Sequence, residues 1–449
     1  MQISRSAPLV AFAMLAVGCS ADRVEPPTRA STRVAEPAPA VVPISPSGTI
    51  SDLVRLARDQ HPTVEAVRAT RDAALARVRS ARAWANPELE VQVGRTRASQ
   101  GGTERDVPYG ASLKQRLEWL GKRDARQRAA QAQVAVADAD AAAVLNELEA
   151  EVRLAIIALG VAREEASQAA ADALLADQMR AAVEQGHAVG DRDTATLIRV
   201  QLEAATAQVR RDASRRAVDT ALAVLRLWCG EGVPETLAVA EVLPVEVPRL
   251  DPVQLAEAAQ RDPRAAALVA SIRSAEATAA AERSARIPDV TLGVFADRGN
   301  QEDTVGLSLG LELPVWNQNT GPIAEAEAHR RLATAELRRR QVAQRLALAT
   351  ALGDYESARA QAESLRTGVL PLAEKTLQLR TVGFTTGDLP LTDLLEARRA
   401  LLATQAAALD ARRRTAETLV RLGQVVGRYD LAAAASSSSP TIISPETAP

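Results

Sequence analysis

Two short regions interrupt an otherwise helical pattern. In residues 87–95 (PELEVQVGR), Leu89, Val91 and Val93 alternate with Glu88, Glu90 and Gln92. Beyond Gly101 and Gly102, Tyr109, Ala111, Leu113 and Leu117 continue the alternation against Ser112, Lys114 and Arg116. The signal returns at Val290, Leu292 and Val294 against Asp289, Thr291 and Gly293. It then runs through Val305, Leu307, Leu309, Leu311 and Leu313 against Gly306, Ser308, Gly310 and Glu312. A period of two with one apolar face marks strands. Each region therefore predicts a β-hairpin with strands of about ten residues, the length a tilted strand needs to cross a bilayer. The small or polar opposite face suits a water-filled lumen.

Everywhere else the spacing is helical. Ser51 predicts the N-cap of a short helix that Pro62 ends, because the residue before a proline is biased out of the helical region. A second helix is predicted over 63–85, before Asn86-Pro87. Residues 121–185 contain no proline and, past Gly121, only Gly160 as glycine. A helix of that length measures on the order of 100 Å and can bury its apolar stripe only against other long helices. A tip at 186–193 and a return helix to Trp228 complete a long hairpin. The second half opens at Asp251-Pro252, a cap followed by an N1 proline. Its long helix spans 322–382, with a kink predicted at Gly368 and Pro371, and its return helix spans 391–426.

The halves are duplicates. Pro62 aligns with Pro263 and Pro87 with Pro288 at an offset of 201. At the tips Gly186 aligns with Gly383, Gly190 with Gly387, Asp191 with Asp388 and Leu197 with Leu394 at an offset of 197. The difference falls in the hairpin turn, where length changes are tolerated. The organisation read from this is a repeat over 49–230, a connecting segment over 231–248, a repeat over 249–428 and a low-complexity tail over 429–449.

The N-terminus has the layout of a signal peptide over 1–18, with an apolar stretch too short to span a bilayer. It ends in LAVGCS, which resembles a lipobox. Cys19 is then the acylated first residue of the mature chain, and 19–48 is a Pro- and Ala-rich tether. Ser20 fits sorting to the outer membrane; ordinary secretion with nearby cleavage is the alternative. Only Cys229 remains besides Cys19, so no internal disulfide framework is possible.

Composition narrows the function classes. The chain has 4 Trp, 3 Tyr and 3 Phe, too few for a large aromatic core, which agrees with long helices packed through small residues. A net charge of −2 offers no one-signed field for nucleic acid. No phosphate-binding loop, nucleophile elbow or His/Cys cluster is present, and His61, His187 and His329 are scattered, so neither an enzyme nor a cofactor or metal site is expected. Trp84, Trp119 and Trp316 lie near strand ends, where interfacial aromatics of a membrane barrel belong.

Four strands cannot close a membrane barrel, since eight is the lower limit, and open edges cannot face lipid. Several chains must share one barrel: two would give eight strands, three would give twelve. The helices would continue from it as a tube of about 100 Å with the tips at the far end. A non-pore coiled-coil scaffold explains the helices but not the two alternating hairpins.

The segments LARDQHPTVEAVRATRDAALARVRSARAWANPELEV, LEWLGKRDARQRAA, LELPVWNQNTGPIAEAEAHRRLATAEL and GFTTGDLPLTDLLEARRALLATQ resemble the TolC-like outer membrane factors over about residues 50–428. The junctions GKRDARQRA and PVWNQNTGPIAEAEA most resemble the CzcC-like heavy-metal branch. This resemblance implies a mainly α fold with a membrane β-barrel contribution, assembled as a homotrimer with a twelve-stranded barrel and a helical periplasmic tunnel. It also implies an outer-membrane exit duct partnered by a periplasmic adaptor and an inner-membrane RND-type pump, with heavy-metal cations as cargo; drug efflux and type I secretion ducts share the fold. By the same resemblance, Asp393 and Glu396 are the aperture carboxylates. Capping and dipole compensation at the start of the return helix is the structural alternative for this pair. Adaptor docking falls on Val189, Gly190, Asp191, Leu197, Thr386, Gly387, Asp388 and Leu394. Thr196 stands where an acidic residue often lies, and Phe384 and Leu389 replace polar ties, so apolar packing of Phe384 is expected to help close the aperture.

Overall fold

The computed structural model describes residues 49–94, 108–119, 121–190, 192–234, 243, 248–299 and 302–431. The order of elements in the first half is α1 (Ile50–Gln60), α2 (Pro62–Arg82), β1 (Glu88–Val93), β2 (Tyr109–Leu117), α3 (Lys122–Ala188) and α4 (Thr194–Cys229). The second half repeats it with α5 (Pro252–Ala259), α6 (Pro263–Ala285), β3 (Val290–Gly299), β4 (Glu302–Leu311), α7 (Thr320–Ser364), α8 (Leu370–Thr385) and α9 (Leu391–Val426). No helix among the described residues is long and apolar enough to cross a membrane.

The four strands form one antiparallel sheet in the order β1-β2-β3-β4. Leu89 lies opposite Leu113, Leu113 opposite Val294 and Val294 opposite Leu307. The apolar positions of all four strands therefore share one face. That face is bare: Leu89, Val91, Val93, Val305, Leu307 and Leu309 are each at least 65% exposed. Burying such side chains is worth roughly 1.5–3 kcal/mol each, so a continuous sheet of them requires a nonaqueous neighbour. β1 covers six residues, shorter than the ten expected; residues 95–107, where it would continue, lie outside the described residues.

Several boundaries differ from the sequence reading for local reasons. The N-cap of α1 is Thr49, not Ser51. Its hydroxyl accepts from Asp52 N–H at 3.2 Å while Asp52 Oδ2 accepts from Thr49 N–H at 3.1 Å, a capping box. The Thr49 hydroxyl also donates to Asp52 Oδ2 at 2.8 Å, and this bond, followed by the one from Thr49 N–H, holds the Asp52 carboxyl below its ordinary pKa. Helix α3 runs through Gly186 to Ala188, and α8 through Gly383 to Thr385. The helix-ending conformation belongs to Gly190 and Gly387, both at φ 83°, where a side chain would be strained. The kink predicted at Gly368 and Pro371 is a π-helical turn over Leu365–Val369 that passes into α8, a recognised way of bending a helix.

Each repeat seals its helical base with its own cluster. Leu53, Val54 and Ala57 of α1 pack on Leu148, Val152 and Ile156 of α3 and Leu225 and Cys229 of α4. Leu255 and Ala259 of α5 pack on Tyr355 of α7 and Leu422 and Val426 of α9. One polar link between the repeats is buried. Arg398 of α9, 2% exposed, places Nε and Nη2 each 2.7 Å from Asp172 Oδ1 of α3. Its Nη1 reaches Glu203 Oε2 of α4 at 3.2 Å, and Glu203 also accepts from Arg399. One guanidinium thereby ties both arms of the first hairpin to the return helix of the second.

Two predictions follow from these contacts. Removing one partner of a buried ion pair leaves the other charge uncompensated, so Arg398→Met should destabilise the detergent-extracted protein by about 3–5 kcal/mol, read as a lowered urea midpoint; an unchanged midpoint would contradict the tie. Cys229 is fully buried, its Sγ 3.6 Å from Leu53 O, and burial pushes its thiol up to about 12. Since the thiolate is the reactive form, the native protein should not react with maleimide at pH 8 and should gain one reactive thiol on denaturation.

Candidate functional site

The two tips are built on one plan. In each, a helical glycine seats the side chain six residues further on. A Cβ on Gly186 would come within 2.9 Å of Arg192 Cγ, and one on Gly383 within 2.9 Å of Leu389 Cγ. The repeated glycines are thus sites of close approach, and Gly190 and Gly387 supply the left-handed turn. Beyond the turn the tips diverge. Asp193 caps α4, its Oδ1 accepting from Thr196 N–H at 3.3 Å; the Thr196 hydroxyl first, and then the backbone N–H groups at the helix start, hold its carboxyl below the usual range. The equivalent position in the second tip is Pro390, which cannot cap through a side chain. There Asp388 N–H and Leu389 N–H donate to Gly383 O at 2.9 and 3.0 Å, and Thr386 Oγ1 donates to Asp388 Oδ2 at 2.6 Å.

Phe384 joins the tips. Its ring is 7% exposed and packs with Met179 and Val183 of α3, Val200 of α4 and Leu391, Leu394 and Leu395 of α9. The Arg192 guanidinium carbon lies 4.9 Å from the ring centroid, a distance typical of cation–π attraction. His187 Nδ1 is 2.8 Å from Arg192 O, which steadies the same loop.

Among the docking positions, Val189 is 80% exposed, and Gly190, Thr386, Gly387 and Asp388 are also exposed. Leu394 is not free for a partner within this chain, contrary to the sequence reading, whereas Leu197 is half-buried and keeps part of its side chain at the surface. Leu394 is 2% exposed and Leu197 packs against the same tip cluster. Both stand one turn into a return helix, on the stripe that faces the neighbouring helix of the same chain. Asp191 and Cys19 lie outside the described residues.

The two carboxylates differ. Asp393 does not cap α9; its Oδ2 accepts from Arg380 Nη1 of α8 at 2.8 Å. Glu396, three residues on and on the same face, is exposed and makes no ion pair or hydrogen bond among the described residues. The first tip has no such pair, because Val183 and Thr196 occupy the equivalent positions. Sequence reading also passed over Arg380 and Arg398. Arg398 continues the apolar stripe of Leu391, Leu394 and Leu395, and a charge at that phase signals a buried partner.

At the opposite end, Trp84, Trp119 and Trp316 are 54%, 46% and 96% exposed. Trp119 Nε1 donates to Pro288 O at 2.6 Å, and the Arg123 guanidinium stands 4.6 Å from the Trp84 ring centroid. They stand at the strand–helix junctions. No group of three or more His, Cys, Asp or Glu side chains arranged to hold a metal ion occurs among the described residues.

With this geometry in view, likeness to known proteins is specific. The outer membrane efflux protein family matches residues 53–231 and 255–428, both repeats. The cobalt-zinc-cadmium resistance protein CzcC of Cupriavidus metallidurans is 24% identical over 355 residues, covering 78% of this chain and 83% of that protein. Among solved structures, CusC superposes with a TM-score of 0.70 at 18% identity, over 84% of this chain and 92% of that one. The open-state MtrE channel of Neisseria gonorrhoeae superposes with a TM-score of 0.69 at 19% identity, over 85% and 89%. The duplicated fold, the shared sheet and the match across both repeats establish that this chain belongs to the outer membrane efflux protein family.

Proposed function

We propose that three copies of this chain form an outer-membrane exit duct for heavy-metal cations, fed by a periplasmic adaptor and an inner-membrane proton-driven pump of RND type. The observation that carries this reading is the four-stranded sheet with a bare apolar face, a polar opposite face and unpaired edges at β1 and β4. Such a sheet is stable in lipid only when other copies complete the barrel. The family resemblance selects three copies, hence twelve strands. Exposed apolar residues on α4 (Ile198, Leu202, Val209) and α8 (Leu372, Leu379, Val382) supply lateral surfaces for neighbouring copies. The helices then run into the periplasm and the hairpin turns face outward, with acylated Cys19 as a lipid anchor.

Val189, Gly190, Thr386, Gly387 and Asp388 form the surface for the adaptor. Asp393 and Glu396 of each copy surround the aperture, where carboxylates attract cations and repel anions. The Arg380 partner keeps Asp393 partly neutralised, leaving Glu396 as the free charge. Phe384 holds the two tips of one copy in register, and through them the closed aperture. The metal assignment draws on the named role of the cobalt-zinc-cadmium relative, and the cargo passes through without a resident binding site.

Three measurements test this. Deleting the gene should sensitise cells to cobalt, zinc or cadmium salts and leave growth in hydrophobic drugs unchanged; sensitivity to drugs alone would retain the duct and overturn the metal branch. In planar bilayers, Asp393→Asn combined with Glu396→Gln should reduce the preference of the purified trimer for cations over anions, and an unchanged reversal potential under a salt gradient would remove these residues from the aperture. Phe384→Ala, which opens a cavity in the tip cluster at a cost of about 3–5 kcal/mol, should raise conductance; equal conductance would exclude the ring from closure.

A further inference from the structure

On the polar face of the sheet one residue is out of character. The described residues of that face are Glu88, Glu90, Gln92, Ser112, Lys114, Arg116, Thr291, Asp297, Thr304, Ser308 and several glycines, together with Phe295. Phe295 is the one large apolar side chain among them. It is half-buried, opposite Ser112 on β2 and Gly306 on β4. A Cβ on Gly306 would stand 2.7 Å from Cε1 and 3.2 Å from Cε2 of the Phe295 ring, and closer still to Cζ. The tip of the ring therefore reaches over the backbone of the next strand, into a space that only glycine leaves open. Gly110 seats the Asp297 carboxylate in the same manner, with Cγ 3.2 Å from a built Cβ. Gly293 lies beneath Lys114, whose Cγ is 3.2 Å from a built Cβ. Glycine in a strand interior weakens the strand and marks a close approach, so each seat is kept against a local cost.

We propose that Gly306 is a pore-width determinant, a positioning residue that stows the Phe295 ring against the barrel wall and keeps one level of the lumen open and wet. The inference rests on the reading of the polar face as a lumen shared by three copies. At that level each copy carries one ring on its third of the wall. Released from their seats and turned toward the axis, the three rings would narrow the lumen with an apolar girdle, and apolar constrictions hinder water and ions.

The test is size-limited labelling from outside intact cells, which does not depend on the state of the distant tips. Thr291 shares the polar face with Phe295 and lies on its helix side; Asp297 lies on its turn side. A polyethylene glycol maleimide too large for other outer-membrane pores is applied to Thr291→Cys and Asp297→Cys variants, with buried Cys229 silent. Thr291→Cys should label readily, and adding Phe295→Ala should change its rate little, because the stowed ring is not in the path. Gly306→Val should slow labelling of Thr291→Cys by about fivefold or more while leaving Asp297→Cys unaffected. Adding Phe295→Ala to Gly306→Val should restore the rate. Gly306→Ser, whose Cβ meets the same ring, replaces valine if that variant fails to assemble. Equal rates with and without the Gly306 substitution in assembled trimers would overturn the proposal. So would a slow rate that persists after Phe295→Ala, or a large acceleration by Phe295→Ala alone. If neither cysteine labels from outside, the lumen reading itself fails, an outcome separable from the others by the Asp297→Cys control.

Discussion

The constraint on which this structure depends is the fate of two strand edges. In water an unpaired edge is a liability that solvent relieves; in hydrocarbon nothing relieves it. A sheet of four strands whose one face is lined with leucine and valine belongs in hydrocarbon, so β1 and β4 must find partners on other chains. On the proposed assembly, oligomerisation is in this sense written into the backbone, and the helices would inherit it. Rods on the order of 100 Å leave the sheet already held side by side, so their packing needs few aromatic residues. Small residues such as Ala173, Ala176, Ala204 and Ala207 let α3 and α4 approach closely, and the polar tie at Arg398 fixes their relation to α9.

The same logic separates the two ends of the molecule. At the sheet, specificity comes from alternation and register, which tolerate little change because a slip of one residue exchanges the faces. At the tips it comes from a few contacts across helices: Phe384 under Arg192, Asp393 against Arg380, Arg398 between Asp172 and Glu203. Such contacts can break singly without unfolding the sheet. The sheet and the tips are therefore held by different kinds of interaction.

The sequence made the architecture legible because periodicity is a local signal. Alternation at Val305–Leu313 and the uninterrupted run after Gly121 announce strand and rod without reference to anything distant. The duplicated glycines marked the tips, although Gly186 and Gly383 proved to be seats for Arg192 and Leu389 and not the turn residues themselves. What stayed hidden were partnerships between residues far apart in sequence. Nothing near Arg380 or Asp393 says that they pair, and Leu394 reads as a tip residue until its helical phase is compared with that of Leu391 and Leu395. Phe295 leaves no mark on the apolar alternation, because its significance lies in being a single exception on the other face.

Duplication brings one further consequence. The left-handed residues that open the long helices, Gly121 and Asn319, and those that close them, Gly190 and Gly387, are separated by one residue more in the first repeat than in the second, and only the second contains a π-helical turn. At about 100° of helical rotation per residue, two such arms cannot present the same side chains at both ends. In the proposed ring of three chains the arms would then form not a blurred sixfold object but an alternation of unlike staves. The position equivalent to Arg398 in the first repeat is Gln201, so the charged tie recurs at every second arm. A barrel with six identical seams would have to yield at all of them together; one with two kinds of seam has a built-in choice of where to part.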